Sequence, residues 1–301
     1  MEPGLIIETR DLSYRLGNQQ VLDHVSLKVQ AGSIYGFLGP NGAGKTTTIK
    51  VLLNLLQTGE GKVLIFGKDL KHNRIDILSN IGSLIEQPAI YSHLSGKENL
   101  LNRALLLRVP ATRVNAILKL VDLTENADKK TGKYSLGMKQ RLGIGLALLP
   151  DPELLILDEP ANGLDPKGIT EMRQMIRKLV AEQGKTVFIS SHLLSEVEKM
   201  VTHIGIINHG KLLFQGTIEE LHDVSKKQLE IGTSDPIRAK ELLTKNGYQA
   251  EILSELIHIP FVSGNQNAEI NSLLVRNNHK VYSLTQSKQN LENLFLSITQ
   301  P

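Results

Sequence analysis

The sequence predicts an α/β fold, a mostly parallel sheet covered by helices, on three observations. Short Val/Ile/Leu-rich runs alternate with longer helical patterns from Ile34 to about Asn208. One such run, residues 34–38, passes into a glycine-rich loop and then a helical pattern. Another, residues 154–157, ends in two adjacent carboxylates, Asp158 and Glu159. That places acidic groups at the carboxyl edge of a parallel sheet, where open α/β folds bind ligands.

The bulk properties bound the reading. At 301 residues, with 41% hydrophobic and 22% charged side chains, the chain has the composition of a globular protein and the length for one large and one small domain. The absence of cysteine excludes disulfides, thiolate metal sites and cysteine nucleophiles, and fits a reducing compartment. A net charge of +3 is too small to point to nucleic acid or an anionic membrane, and nucleic acid is not an expected partner. The N-terminal residues 1–8 carry no basic stretch leading into an apolar core, so a cytoplasmic location is expected. No stretch approaches the roughly 18 apolar residues of a spanning helix, and any membrane pore is expected on another chain.

Taken in order, residues 5–14 and 21–29 read as strands joined through the turn signal Gly17-Asn18, an antiparallel sheet beside the core. Residues 34–38 read as a buried strand, and Ile49, Leu52, Leu53 and Leu56 recur at helical spacing after it. Between Leu94 and Lys133 the pattern is mostly helical, an insertion assigned to about residues 94–140. Residues 154–157 and 186–189 are two further buried-strand runs. After Gly216-Thr217 the pattern changes: strands centred on residues 229–231, 251–253, 256–259 and 281–284, with helices over 237–243 and 269–275. Strand, helix, strand, strand, helix, strand is the order of a small ferredoxin-like α+β domain. The expected division is 1–222 and 223–301. A last amphipathic turn or helix, with Leu291, Leu294, Phe295 and Ile298 on one face, is expected to pack on the second domain.

Gly39-Pro40-Asn41-Gly42-Ala43-Gly44-Lys45-Thr46-Thr47 satisfies G-x-x-x-x-G-K-[ST] between a strand and a helix. Glycines at 39, 42 and 44 let the backbone curl so that successive N–H groups point inward at a helix N-terminus, a nest for phosphate oxygens. Lys45 supplies a compact positive charge for the β and γ phosphates, and the Thr46 hydroxyl suits Mg²⁺. The competing reading, a glycine-rich turn with a chance lysine, does not account for the flanking strand and helix. The core is therefore expected to be a P-loop NTPase.

Asp158 is expected to reach the Mg²⁺ shell, directly or through water, and Glu159 to orient or deprotonate the attacking water. Residues 186–189 deliver Ser190-Ser191-His192 to the same sheet edge, where His192 can contact the γ-phosphate. Alone, such a histidine is more often a structural imidazole or a capping neighbour.

These pieces, and above all Tyr134-Ser135-Leu136-Gly137-Met138-Lys139-Gln140-Arg141 before the acidic strand, resemble the nucleotide-binding subunits of ABC transporters over about residues 5–220. The resemblance implies that Ser135 and Gly137 are the signature residues that contact ATP bound to an opposite subunit. It implies that Asn162-Gly163-Leu164-Asp165 is the D-loop and His192 the switch histidine. Leu136 and Met138 stand where Gly and Gln are commonest, a form similar to the bacitracin- and lantibiotic-resistance exporters, whose small C-terminal accessory domain the last segment also resembles. The resemblance further implies an ATPase that uses ATP and Mg²⁺, forms a homodimer around two nucleotides, and drives a separate integral membrane permease from the inner face of the cell membrane. An antimicrobial peptide is the substrate this branch implies.

Two positions depart from the family. The adenine-stacking aromatic aligns with Leu16, with Tyr14 two residues earlier as a substitute or simply a packing residue between sheets. The Q-loop glutamine aligns with Glu86, beside Gln87, a carboxylate that can still ligate Mg²⁺. Family members that act on DNA or the ribosome fit less well, because this chain has one cassette and no long heptad insertion. A purely regulatory nucleotide-binding module would lack catalytic groups, yet Lys45, Asp158, Glu159 and His192 are all present.

Overall fold

A computed structural model describes residues 4–288 other than 59, 225, 226, 254 and 262. The chain forms two compact units with their boundary between Ile218 and Glu219. The expected final amphipathic segment, with Leu291, Leu294, Phe295 and Ile298, lies outside the described residues.

The chain opens with β1 (Leu5–Leu16), β2 (Gln19–Val25) and β3 (Lys28–Gln30), both of the latter antiparallel to β1. The single strand expected over residues 21–29 is thus two. Buried Thr9 is the reason the chain can break there. Its hydroxyl donates to the Val25 carbonyl at 2.8 Å and accepts from the Leu27 N–H at 2.8 Å, so backbone groups that leave the ladder keep partners. The core strand β4 (Ile34–Leu38) and helix α1 (Lys45–Leu52) come next. Then β5 (Glu60–Ile65) and β6 (Lys68–Asp69) complete the antiparallel sheet in the order β2-β1-β5-β6, with β3 also on β1.

Helix α2 (Leu70–Ser79) leads to β7 (Ile81–Leu84), and α3 (Gly96–Leu107) and α4 (Thr112–Leu120) form the helical insertion. A capping box starts α3: Ser95 accepts from the Glu98 N–H, and the Glu98 carboxylate accepts from the Ser95 N–H at 2.7 Å. The unit continues through α5 (Leu136–Leu148), β8 (Leu154–Asp158), α6 (Pro166–Gln183), β9 (Thr186–Ser191), α7 (Leu194–Val197), β10 (His203–Asn208) and β11 (Lys211–Thr217), and α8 (Ile218–Val224) starts at the boundary and belongs, from Glu219 on, to the second unit. The core sheet runs β11-β10-β4-β9-β8-β7, parallel throughout except for β11.

Every residue of β4, β8 and β9 is buried, which is why these strands read as continuous apolar runs without alternation. Register brings Tyr35 beside Phe188, stacked at 5.5 Å, with Phe37 at 5.4 Å from the same ring. This aromatic face joins Leu154, Ile156 and the apolar side of the N-terminal sheet in one core. Strands packed on both faces are stiff, and their carboxyl ends carry Asp158 on β8 and, one residue beyond β9, His192.

The second unit comprises β12 (Lys227–Thr233), α9 (Pro236–Lys245), β13 (Glu251–Leu253), β14 (Leu256–Pro260), α10 (Gly264–Arg276) and β15 (Val281–Lys288). Its sheet, β13-β14-β12-β15, is antiparallel at every step, the split βαβ arrangement. Leu229, Ile231, Ile257 and Ile259 on one face of the sheet share a core with Ala239, Leu243, Ile270 and Leu274 of the helices. Among the described residues, no helix is long and apolar enough to cross a membrane.

Candidate active site

Residues 39–44 connect the end of β4 to α1, and their glycines are required by geometry. Gly42 and Gly44 have φ of 82° and 109°, and a Cβ on Gly39 would stand 2.3 Å from the Ile207 carbonyl oxygen. The Ala43 N–H donates to the Pro40 carbonyl at 3.1 Å, closing the turn, and the Gly39 N–H donates to the Ser191 carbonyl at 3.3 Å. No side chain caps α1, so the N–H groups of its first turn, at Lys45, Thr46 and Thr47, are free to meet an anion. Asn41 is exposed at the loop's tip. Lys45 is buried and folds back across the loop, donating to the carbonyls of Gly39 at 2.7 Å and Pro40 at 3.2 Å. The loop thus concentrates one ammonium and several N–H dipoles at the same point.

The sheet register then sets the acidic side. Asp158 on β8 lies opposite Ser190 on β9. The buried Asp158 carboxylate accepts from Ser190 Oγ at 2.6 Å and from Thr46 Oγ1 at 2.8 Å, joining β8 to β9 and to the first turn of α1. Ser190 Oγ in turn accepts from the Glu159 N–H at 2.9 Å. That bond holds Glu159 in the left-handed region at φ 47°, unusual for a residue with a Cβ. The turn swings the Glu159 carboxylate between two nitrogen groups: Oε1 is 3.2 Å from Lys45 Nζ and Oε2 is 2.8 Å from His192 Nδ1. Lys45, Thr46, Asp158, Glu159 and His192, which the sequence marked from three separate segments, form one connected cluster. Ser190 belongs to it as well. The sequence places Ser190 at this edge without assigning it a role; the signal for one is its register opposite Asp158.

The donor set fits Mg²⁺. Thr46 Oγ1 and Asp158 Oδ2 offer hard oxygen donors 2.8 Å apart, close to the roughly 2.9 Å edge of an octahedron with 2.0–2.1 Å bonds.

Ser135 and Asp165 are exposed or partly exposed and serve as helix N-caps. Ser135 Oγ accepts from the Met138 N–H at 3.2 Å at the start of α5, and Asp165 accepts from the Gly168 N–H at 3.0 Å at the start of α6. The two segments meet within the chain: a Cβ on Gly163 would lie 3.0 Å from Leu136 Cδ2, and one on Gly137 would lie 3.6 Å from Leu164 Cδ2. Leu16 is 66% exposed, whereas Tyr14 is half-buried against the core, the packing role weighed for it from sequence. Glu86, expected in the metal shell, pairs with Lys50 at 3.2 Å in an exposed position, at φ 57°.

A separate cleft of about 740 Å³ opens between the segment after β7 and the insertion, lined by Leu84, Pro88, Tyr91, Arg103, Leu106 and Gly143 among others.

Residues 22–162 match the ABC transporter family. The chain is 44% identical over 296 residues to the bacitracin transport ATP-binding protein BcrA of Bacillus licheniformis, with 97% of each chain covered. It is 41% identical over 211 residues to the lantibiotic transport ATP-binding protein SrtF of Streptococcus pyogenes, covering 70% of this chain and 90% of that one. Among solved structures, the ADP conformation of MJ1267, an ATP-binding cassette of an ABC transporter, is similar with a TM-score of 0.65 and 25% identity. That match covers 73% of this chain and 94% of the other.

Proposed function

The chain belongs to the ABC transporter family as an ATP-binding, ATP-hydrolysing subunit, and from that premise we propose how its residues divide the work. The observation that carries the assignment is the cluster in which one carboxylate, Glu159, stands between Lys45 and His192 while a second, Asp158, is held by Thr46 and Ser190. Lys45 and the N–H groups of the loop bind the β and γ phosphates of ATP. Glu159 orients the attacking water and takes its proton; His192 holds the carboxylate in place through Nδ1. Thr46 and Asp158 would hold Mg²⁺, which would neutralise charge on the phosphate oxygens.

Ser135 and Gly137 act on ATP held by a second copy of the chain, and Asp165 lies in the segment that links them to Glu159. The homodimer closes around two nucleotides, and hydrolysis reopens it, a population shift that an integral membrane permease converts into transport. The apolar cleft with Arg103 on its wall supports docking of that permease, which would hold the subunit on the inner face of the membrane. The names of the bacitracin and lantibiotic transport relatives support an antimicrobial peptide as the substrate, and export is the direction we propose for it.

The test is ATP turnover of the full chain against Glu159→Gln, with size-exclusion chromatography of both in Mg²⁺-ATP. Turnover abolished in the variant, together with an ATP-dependent dimer, is the expected result. Retained turnover in Glu159→Gln removes the catalytic assignment, and a variant that stays monomeric removes the sandwich.

A further inference from the structure

Arg173 lies midway along α6, and its Nε–H is buried with no hydrogen-bond acceptor among the described residues. A guanidinium cannot shed this proton, so a buried N–H without an acceptor is a cost the fold carries in this arrangement. The side chain lines a small cleft whose wall also includes residues 159–161, Ser190 and Ser191. The Ser190 hydroxyl is already committed to Asp158 and to the Glu159 N–H. The neighbouring Ser191 hydroxyl bonds both the N–H and the carbonyl of Leu193. The segment 159–161, which starts at the left-handed Glu159, also offers acceptors on this cleft: the carbonyls of Glu159 and Ala161 each take one N–H already, from Asn162 at 3.0 Å and Leu164 at 3.1 Å, and each oxygen keeps a second lone pair. An unsatisfied donor and a left-handed turn thus share one cleft, and a shift of this segment toward Arg173 would give the donor an acceptor.

We propose that Arg173 is a positioning residue for hydrolysis: during turnover its Nε–H engages residues 159–161 and fixes the approach of the Glu159 carboxylate to water. The proposal rests on the reading of Glu159 as the base. It predicts that Arg173 affects the chemical step and not nucleotide affinity, because Arg173 lines the cleft beside Glu159, a cleft to which none of the loop residues that bind phosphate contributes.

The experiment compares steady-state ATPase rates and melting temperatures of the full chain with those of Arg173→Lys, Arg173→Met and Glu159→Gln. Arg173→Lys keeps the charge but lacks a donor at Nε, and is expected to lower kcat by about tenfold or more with KM for ATP within about twofold. Arg173→Met removes the unsatisfied donor and is expected to lose kcat similarly without a lower melting temperature. Wild-type kcat in Arg173→Lys overturns the proposal, as does a fall in kcat matched in both variants by a fall in melting temperature, which marks a structural role. Should Arg173→Met fail to fold, Arg173→Lys decides alone. Retained turnover in Glu159→Gln removes the base assignment and this proposal with it. An inactive Glu159→Gln beside an unaffected Arg173→Lys removes only this one.

Discussion

His192 Nδ1 lies 2.8 Å from Glu159 Oε2, so the imidazole at the end of β9 holds the carboxylate at the end of β8. The neighbouring strands are locked by core packing, and the pair is therefore preorganised by the sheet and not by loop closure. Replacing His192 by Ala should leave Glu159 tethered by Lys45 alone, drawn toward the phosphate loop. The expected result is a kcat lowered about 100-fold with KM for ATP within about twofold and an unchanged melting temperature, since the ring is partly exposed. Steady-state ATPase assays check this. A rise in KM with kcat retained would reassign His192 to nucleotide binding.

Ser190→Ala removes two bonds at once, the donor to Asp158 Oδ1 and the acceptor for the Glu159 N–H. Both abandoned groups are at the base of the site, where an unmet polar group costs about 1–3 kcal/mol. We expect a stability loss in that range by urea unfolding. A higher Mg²⁺ concentration for half-maximal turnover should accompany it, because Asp158 is then free to turn away from Thr46. Ser190→Thr keeps the hydroxyl and should restore the Mg²⁺ requirement.

Gly205 on β10 makes room for Tyr35 on β4: an added Cβ would lie 2.4 Å from the Tyr35 hydroxyl oxygen. That hydroxyl donates to Gln215 Oε1 at 2.9 Å, and burial raises the phenol well above its ordinary range, so Tyr35 stays neutral. Gly205→Ala should destabilise the chain by about 1–3 kcal/mol through overpacking. Tyr35→Phe in the same chain should recover part of the loss, since it deletes the clashing atom and Gln215 keeps the Lys28 N–H. Additive losses in the double variant, measured by thermal unfolding, would show that the two residues do not meet.

The parallel core was legible in the sequence because strands buried on both faces leave an unbroken apolar record, and the phosphate loop because its glycines and lysine have fixed spacing beside it. The β2–β3 break was hidden, since it depends on the hydroxyl of Thr9 from another strand and not on any breaker within residues 21–29. The register of Ser190 and the unpartnered N–H of Arg173 were hidden for a related reason. Whether a polar side chain is satisfied is decided by register and by the opposite wall of a cleft, which no local pattern encodes. Glu86 was placed by alignment with a family position, whereas its partner Lys50 is fixed by the orientation of α1.

Asp151, in the turn between α5 and β8, pairs with Lys185 at 2.7 Å and Arg113 at 2.9 Å. The Lys185 hydrogen bond is the largest of the influences that hold its carboxyl below the ordinary range, and Arg113 adds to it. A carboxylate whose pKa is depressed by folding contributes stability that is fully present above its unfolded value. That contribution fades as pH falls through the folded value, below about pH 4. Asp151→Asn lacks this contribution, so the variant should be less stable than the parent by a constant amount from neutral pH down to about pH 5, and the gap should narrow on further acidification. Because Asp151 is more than half exposed, solvent and salt screen the pair, and the gap should stay at about 1 kcal/mol or less and shrink in high salt. Urea unfolding of both chains across this pH range is the check; a gap that widens in acid would mean that the contacts of Asp151 stabilise its protonated form.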